Sequence, residues 1–208
     1  MSDLTGRVAP MSSGTTTGAD FTDAVLVGEK LEDRSFEGCD FTGADLATLR
    51  TVRCSFTDCD FTAVDLGRSR HLSSAFRGCG FDRAHLVEAE FAGCTLLGSM
   101  FNDCRWRAAR LHETDLTLVG LTRADLRNLD LSGLRLREAN LNEADLRGAD
   151  LRRADLSGAR MLRTRLRGAD LREARVEPDA FVQADWEGAV IDVPMAIAYA
   201  AARGLRVE

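Results

Sequence analysis

The sequence predicts an all-β solenoid, a coil of short straight sides whose C-terminal end is closed by a short α-helix. All ten phenylalanines and both tryptophans fall on one five-residue register that runs without insertion or deletion from Phe21 to Ile191. A helix repeats its face every 3.6 residues and a strand every two, so a period of five requires the backbone to turn once per unit. Identities also recur every 20 residues, which predicts four units per coil, as in the column Phe21, Phe41, Phe61, Phe81 and Phe101.

Each unit has two positions that face the interior. Of the 35 central positions, 33 hold a large apolar residue, and Thr51 and His71 are the exceptions. The slot two residues earlier is small in 29 of the 35 units. Two charged residues, Glu29 and Arg34, occupy this small slot. Their presence predicts either a distorted opening coil or an ion pair between them. A buried imidazole needs a partner, so we expect either a pair of His71 with Thr51 one coil away or a small outward deformation of that side. A pH sensor or ligand site is the alternative.

All six cysteines occupy the small inward slot. A buried cysteine behaves as a small apolar residue, and zinc requires ligands that converge. We therefore expect free thiols in a reducing compartment rather than a disulfide or metal framework. The cysteines are Cys39, Cys54, Cys59, Cys79, Cys94 and Cys104.

The register divides the chain into three segments. Residues 1–18 are rich in Ser, Thr and Gly and predict a flexible leader, residues 19–192 form the solenoid, and residues 193–208 predict a helix that covers its open end. Pro178 is expected to bend the final turn. Pro194 suits the first turn of the helix and Gly204 its end. One face of this helix is expected to cap the last coil, and it consists of Met195, Ala198, Tyr199 and Ala202.

Units such as Ala-Asp-Leu-Arg-Gly at 144–148 and Cys-Asp-Phe-Thr-Gly at 39–43 resemble pentapeptide repeats. That resemblance implies a right-handed quadrilateral β-helix. The stretches at 97–101 and 155–160 are similar to the mycobacterial fluoroquinolone-resistance members of the family. Similarity to those members implies DNA gyrase, a type II topoisomerase, as the partner, and a homodimer joined through the C-terminal ends. The residues assigned to that dimer contact are Met195, Ala198, Tyr199, Ala202 and Leu205.

The negative charge of the chain lies in its N-terminal half. The formal net charge is −6, with −7 on residues 1–104 and +1 on residues 105–208. Stacked carboxylates repel one another, so stability alone gives no reason to align them, although an Asp before the central residue can also bond to turn backbone. Together with the resemblance, the pattern predicts DNA mimicry by an acidic face. Its candidate residues are Asp20, Asp40, Asp60, Asp82, Asp103, Asp45 and Asp65.

Duplex DNA carries one charge per about 1.7 Å of axis, so a protein with net charge −6 can imitate it only locally. The same net charge argues against direct nucleic acid binding. Reactive groups do not converge in the sequence, so we expect no enzyme, no cofactor and no metal. No apolar run is long enough to span a membrane, and a cytoplasmic protein is the default expectation. The alternatives are a structural or scaffolding repeat protein that docks another protein, and a thiol or metal enzyme with accessible cysteines.

Overall fold

The computed structural model describes residues 14–207. The chain winds into a right-handed quadrilateral β-helix, in which each residue stacks in parallel on the residue 20 positions later. We name the four sides after the central residues of one coil: the Phe41, Leu46, Thr51 and Phe56 sides. The predicted all-β solenoid with four units per coil and a short C-terminal helix is confirmed.

Two sides of the N-terminal coils contain three-residue strands. On the Phe56 side these strands are β1 (Thr15–Thr17), β3 (Ser35–Glu37), β5 (Ser55–Thr57) and β7 (Ala75–Arg77). On the Thr51 side they are β2 (Lys30–Glu32), β4 (Arg50–Val52), β6 (Arg70–Leu72), β8 (Glu90–Ala92) and β9 (Arg110–His112). Elsewhere the coils are joined by single parallel bridges.

Tight turns form the corners of the Phe41 and Leu46 sides. The Ala44 N–H donates to the Phe41 carbonyl at 3.0 Å, and Gly43, between them, has a φ of 69°. This left-handed conformation is one that glycine adopts without steric cost. Beyond β7 and β9 the other two sides change to the same turn, as in the 3.0 Å bond from the Ser99 N–H to the Leu96 carbonyl.

The interior is a continuous apolar column. Every central residue from Leu26 to Leu171 is buried. Phe21 and Phe41 stack at 4.7 Å between ring centroids, and the Phe56 side carries a second stack in which Phe36 and Phe56 lie 4.9 Å apart. The two stacks meet edge to face, at 5.7 Å between Phe36 and Phe41. Offset and edge-on contacts of this kind add to the free energy of apolar burial.

The solenoid begins earlier than the sequence predicts. β1 pairs with β3, so residues 15–17, which were assigned to the leader, belong to the first coil. Threonine is β-branched and suits a strand, and Thr16 stacks on Phe36 as the central residue of that coil. The rest of the proposed leader, residues 1–13, lies outside the described residues. In the opening coils Glu29 is exposed whereas Arg34 is buried.

Two helices finish the rod. α1 (Pro178–Gln183) takes the place of one straight side of the coil, where Pro178 predicts only a bend. Phe181, at the central position of that side, is buried. The register then resumes, since Asp185 bridges to Arg165. α2 (Val193–Ala202) is capped by the Asp192 carboxylate, which accepts the Met195 N–H at 2.9 Å. Among the described residues, no helix is both long and apolar enough to cross a bilayer.

Candidate functional site

Three of the predicted acidic residues form a single column on the N-terminal coils. Asp20 bridges to Asp40, and Asp40 to Asp60, in parallel register, and all three are exposed. The column ends at Gly80, which bridges to Asp60. Parallel neighbours lie about 4.8 Å apart, so the column presents three carboxylates along the axis of the rod.

Each carboxylate of this column also forms a hydrogen bond with the backbone of the turn that follows it. One oxygen accepts the backbone N–H of the threonine two residues later, at 2.9 Å for Asp20 and 2.8 Å for both Asp40 and Asp60. Bonds from the Thr22 hydroxyl and amide hold the pKa of Asp20 below its ordinary value. The turn-anchoring role considered from the sequence is therefore present, and no ion pair within residues 14–207 neutralises these three carboxylates.

The other four candidate aspartates lie outside this column. Asp45 and Asp65 bridge to each other on the neighbouring Leu46 side. Partial burial acts to raise the pKa of Asp65. A 2.8 Å hydrogen bond with His85 and a hydrogen bond from the Gly67 amide outweigh this effect, and the pKa lies below its ordinary value. Asp82 and Asp103 sit in corners of the next two coils, where Asp82 accepts a hydrogen bond from Asn102. The structure thus aligns three of the seven residues in one column and sets four beside it.

Four aspartates of the C-terminal coils each pair with an arginine instead. Asp150 is contacted by both Nε and Nη2 of Arg152, and the same pairing recurs at three other aspartates that directly precede a central residue and are followed two residues later by arginine. Because the side chain at that position folds back over the carboxylate, arginine neutralises it and threonine does not. This signal was present in the sequence and was missed. The pairs are Asp125 with Arg127, Asp145 with Arg147, Asp150 with Arg152, and Asp170 with Arg172.

The C-terminal helix turns most of its candidate residues toward the rod. Met195 is buried, and Tyr199 and Ala202 pack against the core. Tyr199 meets Phe181 edge to face at 5.6 Å. Ala198 and Leu205 are exposed. From residue 193 to residue 207, the other large apolar residues that are exposed are Val193, Ile197 and Val207.

The polar interior positions satisfy one another. The Thr51 hydroxyl lies 2.9 Å from His71 Nδ1, and the Ser69 hydroxyl lies 2.9 Å from Nε2. Thr51 also donates to Ser74 at 3.0 Å. Burial disfavours the imidazolium and lowers the pKa of His71 to about 3. The expected pair of Thr51 and His71 is confirmed, and two serines from neighbouring small slots complete it.

The cysteines are buried and free, as their slot suggested. Their thiols donate to backbone carbonyls, for example Cys39 to Thr16 at 3.4 Å. Burial raises the pKa of Cys104 to about 12, which leaves it protonated at neutral pH. Within residues 14–207, no group of His, Cys, Asp and Glu side chains is placed to hold a metal ion.

Solved structures of one protein show the same fold. QnrB1, a plasmid-mediated fluoroquinolone resistance protein, aligns at full length with a TM-score of 0.82 and 21% identity, over 92% of this chain and 97% of its own. A trypsin-treated QnrB1 variant aligns with a TM-score of 0.81 and 22% identity, over 93% and 97% of the two chains. HetL, from the cyanobacterium Nostoc, gives a TM-score of 0.48 at 21% identity, over 86% of this chain and 87% of its own.

No curated protein matches this chain in sequence. A family model described as pentapeptide repeats does match it, in 8 copies, over residues 17–48, 104–142, 121–158 and 135–172. These ranges fall within the coils whose stacking defines the solenoid. The repeat and the fold lead to the same assignment: this chain is a pentapeptide repeat protein.

Proposed function

We propose that this protein binds DNA gyrase as a local DNA mimic, modulates or inhibits the enzyme, and protects it from quinolone-type poisons. The observation that carries the proposal is the exposed column of Asp20, Asp40 and Asp60, which has no counter-ions among its turn partners. The partner follows from the resemblance to the mycobacterial protein MfpA. The likeness to QnrB1, itself a fluoroquinolone resistance protein, supports the link to quinolones.

The geometry favours binding in place of DNA. Phosphates on one strand of B-DNA recur about every 3.4 Å along the axis, whereas the stacked carboxylates recur about every 4.8 Å. Three such charges suffice to occupy a few phosphate sites of a protein surface, and they do not imitate a long duplex. In this proposal the protein binds gyrase in the cytoplasm, where gyrase acts. It neither catalyses a reaction nor contacts nucleic acid directly.

The C-terminal end is the proposed homodimer contact. Met195, Tyr199 and Ala202 are engaged with the final coil, so the partner subunit would meet the outward residues of the same segment. Of the predicted contact residues, Ala198 and Leu205 remain available, and Val193 and Ile197 extend that surface. A two-fold contact here would place the acidic columns at the two distal arms of the rod.

A supercoiling assay with purified gyrase tests the proposal. The triple variant Asp20→Asn, Asp40→Asn and Asp60→Asn removes three charges, and the amide oxygen can still accept each turn hydrogen bond. We expect inhibition of supercoiling and protection from quinolone to weaken by about tenfold or more, which corresponds to about 1.4 kcal/mol of binding free energy.

The matched control is Asp125→Asn, Asp150→Asn and Asp170→Asn, which changes the net charge equally but at residues already paired with arginine. Its activity should stay within about twofold of the parent. Equal losses in both variants would point to net charge rather than to the column. An unchanged column variant, or a parent protein with no effect on gyrase, would refute the proposal.

A scaffolding role remains the second candidate, because one exposed apolar cluster lies at mid-rod. Leu97, Met100 and Leu118 are 37%, 43% and 51% exposed on two neighbouring coils. Apolar side chains grouped in this way mark protein contact surfaces. If Leu118→Asp abolished the cellular effect of the protein while the Asp20, Asp40 and Asp60 variant retained it, docking of another protein would replace gyrase binding as the better account.

A further inference from the structure

Backbone stacking opens between two coils in the middle of the rod. Toward the N-terminus the ladder is intact, since the Arg105 N–H donates to the Ala84 carbonyl at 3.0 Å. Toward the C-terminus, no backbone hydrogen bond within residues 14–207 joins Trp106 to Asp125, or Ala108 to Arg127, although both bonds are expected from the repeat. The Thr51 side is open in the same way beyond β9.

The other two sides hold the same pair of coils together. On the Phe56 side the Leu116 N–H donates to the Arg135 carbonyl at 2.8 Å. On the Phe41 side the Phe101 N–H donates to the Gly120 carbonyl at 2.9 Å. The two coils are therefore joined along the Phe56 side and at Phe101, and they are parted along the Leu46 and Thr51 sides, which creates a cleft.

Trp106 explains the opening. It stands in the Leu46 column, where residues 26, 46, 66, 86, 126, 146 and 166 are all leucine. An indole is much larger than a leucine side chain, and a packed interior accommodates added volume by moving the backbone. Leu129 adds to the crowding, because it fills an inward slot that holds alanine at 109 and 149.

The cleft contains a buried donor that has no acceptor. It encloses about 560 Å³, and the residues that give it polar character are His85, Arg105, Trp106, Arg107, Asp125, Arg127 and Asn128. Trp106 is 2% exposed, and its Nε1–H has no hydrogen-bond partner among the described residues. The other tryptophan, Trp186, donates to the Ala180 carbonyl at 2.9 Å. Native proteins rarely leave a buried donor unpaired, so this one points to a missing acceptor.

The charges at the cleft define that acceptor. Arg127 is held by Asp125, whereas the guanidinium groups of Arg105 and Arg107 form no ion pair within the described part of the chain. Two free cations beside a buried N–H complement a small acceptor that carries negative charge. The unpaired N–H groups of Trp106 and Ala108 add neutral donors nearby.

We propose that this cleft binds a small anion, of the carboxylate or phosphate class, which accepts a hydrogen bond from the Trp106 indole and pairs with Arg105 and Arg107. The site lies on the Leu46 side of the middle coils, away from the Asp20, Asp40 and Asp60 column. It is independent of the gyrase proposal, because it rests on the stacking defect and on the unpaired donors.

Fluorescence isolates the site, since the chain has 2 tryptophans. In the Trp186→Phe variant all indole emission comes from Trp106. Titration with inorganic phosphate and, separately, with acetate should give a saturable change in emission with a Kd on the order of 1 mM or below for at least one of them. Sodium chloride at matched ionic strength should not reproduce the change. The Trp106 indole N–H resonance should shift in the same titration.

Paired variants in the same background test the arginines. Arg105→Gln with Arg107→Gln should raise the Kd about tenfold or more. Arg77→Gln with Arg163→Gln removes the same charge from exposed residues outside the cleft and should leave the Kd unchanged. The proposal is overturned if neither phosphate nor acetate gives a saturable signal, if chloride gives the same signal, or if the two double variants bind equally.

Discussion

At the scale of single residues, His71 shows how a polar side chain is accommodated at a central position of the column. His71 replaces an aromatic or leucine centre, and Thr51, Ser69 and Ser74 surround it with hydroxyls. The five-residue register predicts that His71 and Thr51 are interior and adjacent. It does not single out Ser69 and Ser74, because serine in a small slot is also an ordinary packing choice, and only the ring orientation of His71 shows which hydroxyls it meets.

His71 predicts an acid-sensitive stability. Its folded pKa of about 3 lies below its ordinary value of 6.5, so the unfolded chain binds a proton that the folded chain rejects. Its contribution to stability is fully present above pH 6.5 and is lost as the pH falls toward 3. Between pH 7 and pH 5 this loss amounts to about 2 kcal/mol.

Urea unfolding of the parent and of His71→Phe at both pH values measures the effect. The variant keeps an aromatic ring against Phe91, which stacks on His71 at 4.7 Å, but leaves hydroxyls unpaired, so it should be less stable at pH 7. Its deficit should shrink by about 2 kcal/mol at pH 5. A deficit that is independent of pH would show that His71 is protonated in the folded state.

At the scale of the elements, the register predicts the coil but not the two places where stacking changes. α1 keeps Phe181 in its central slot, so a periodicity of side chains cannot distinguish it from a straight side. The proline and the slot aspartate before it, Pro178 and Asp179, were the only local signals. The register does not predict the cleft either, because Trp106 fits the apolar pattern while the volume of its side chain separates the coils.

Trp106→Leu should close the cleft. Leucine is the residue of this column in the neighbouring coils, so the backbone bonds from residues 106 and 108 to residues 125 and 127 can form. Their amides should then exchange with solvent at least about tenfold more slowly, which corresponds to about 1.4 kcal/mol of added local stability. Hydrogen exchange followed residue by residue measures the change.

The control is Trp186→Phe, which alters the last coil and should leave the exchange of residues 106 and 108 as it is in the parent. If these two amides exchange at the parental rate in Trp106→Leu, the volume of the indole is not what holds the coils apart, and the explanation of the cleft fails.

At the scale of the whole molecule, the rod divides into an acidic arm and a neutralised arm. In the column of the N-terminal coils the residue two positions after each aspartate is threonine, whereas four aspartates of the C-terminal coils are followed at that position by arginine. The fold and this charge asymmetry were predictable from the sequence, because both repeat. The outward face of the end helix was not, since α2 does not repeat and its rotation depends on contacts such as those of Tyr199 with Phe181 and Trp186.

The proposed homodimer makes a prediction about that outward face. Val193 and Ile197 are one turn apart on α2 and are 72% and 47% exposed. Light scattering should give the parent about twice the chain mass of 22.7 kDa. Val193→Asp with Ile197→Asp should give a monomer whose solenoid is intact by circular dichroism, because a charge buried at a two-fold contact faces its own copy.

Tyr199→Ala separates the cap from the dimer contact. Tyr199 packs against Phe181 and Trp186 within the same chain, so its truncation should lower the free energy of unfolding by about 2–4 kcal/mol. The protein should remain dimeric at concentrations where it is folded, since the outward row is untouched. A parent that scatters as a monomer, or a double aspartate variant that stays dimeric, would exclude this end as the subunit contact. The acidic columns could then no longer be assigned to the two ends of one rod.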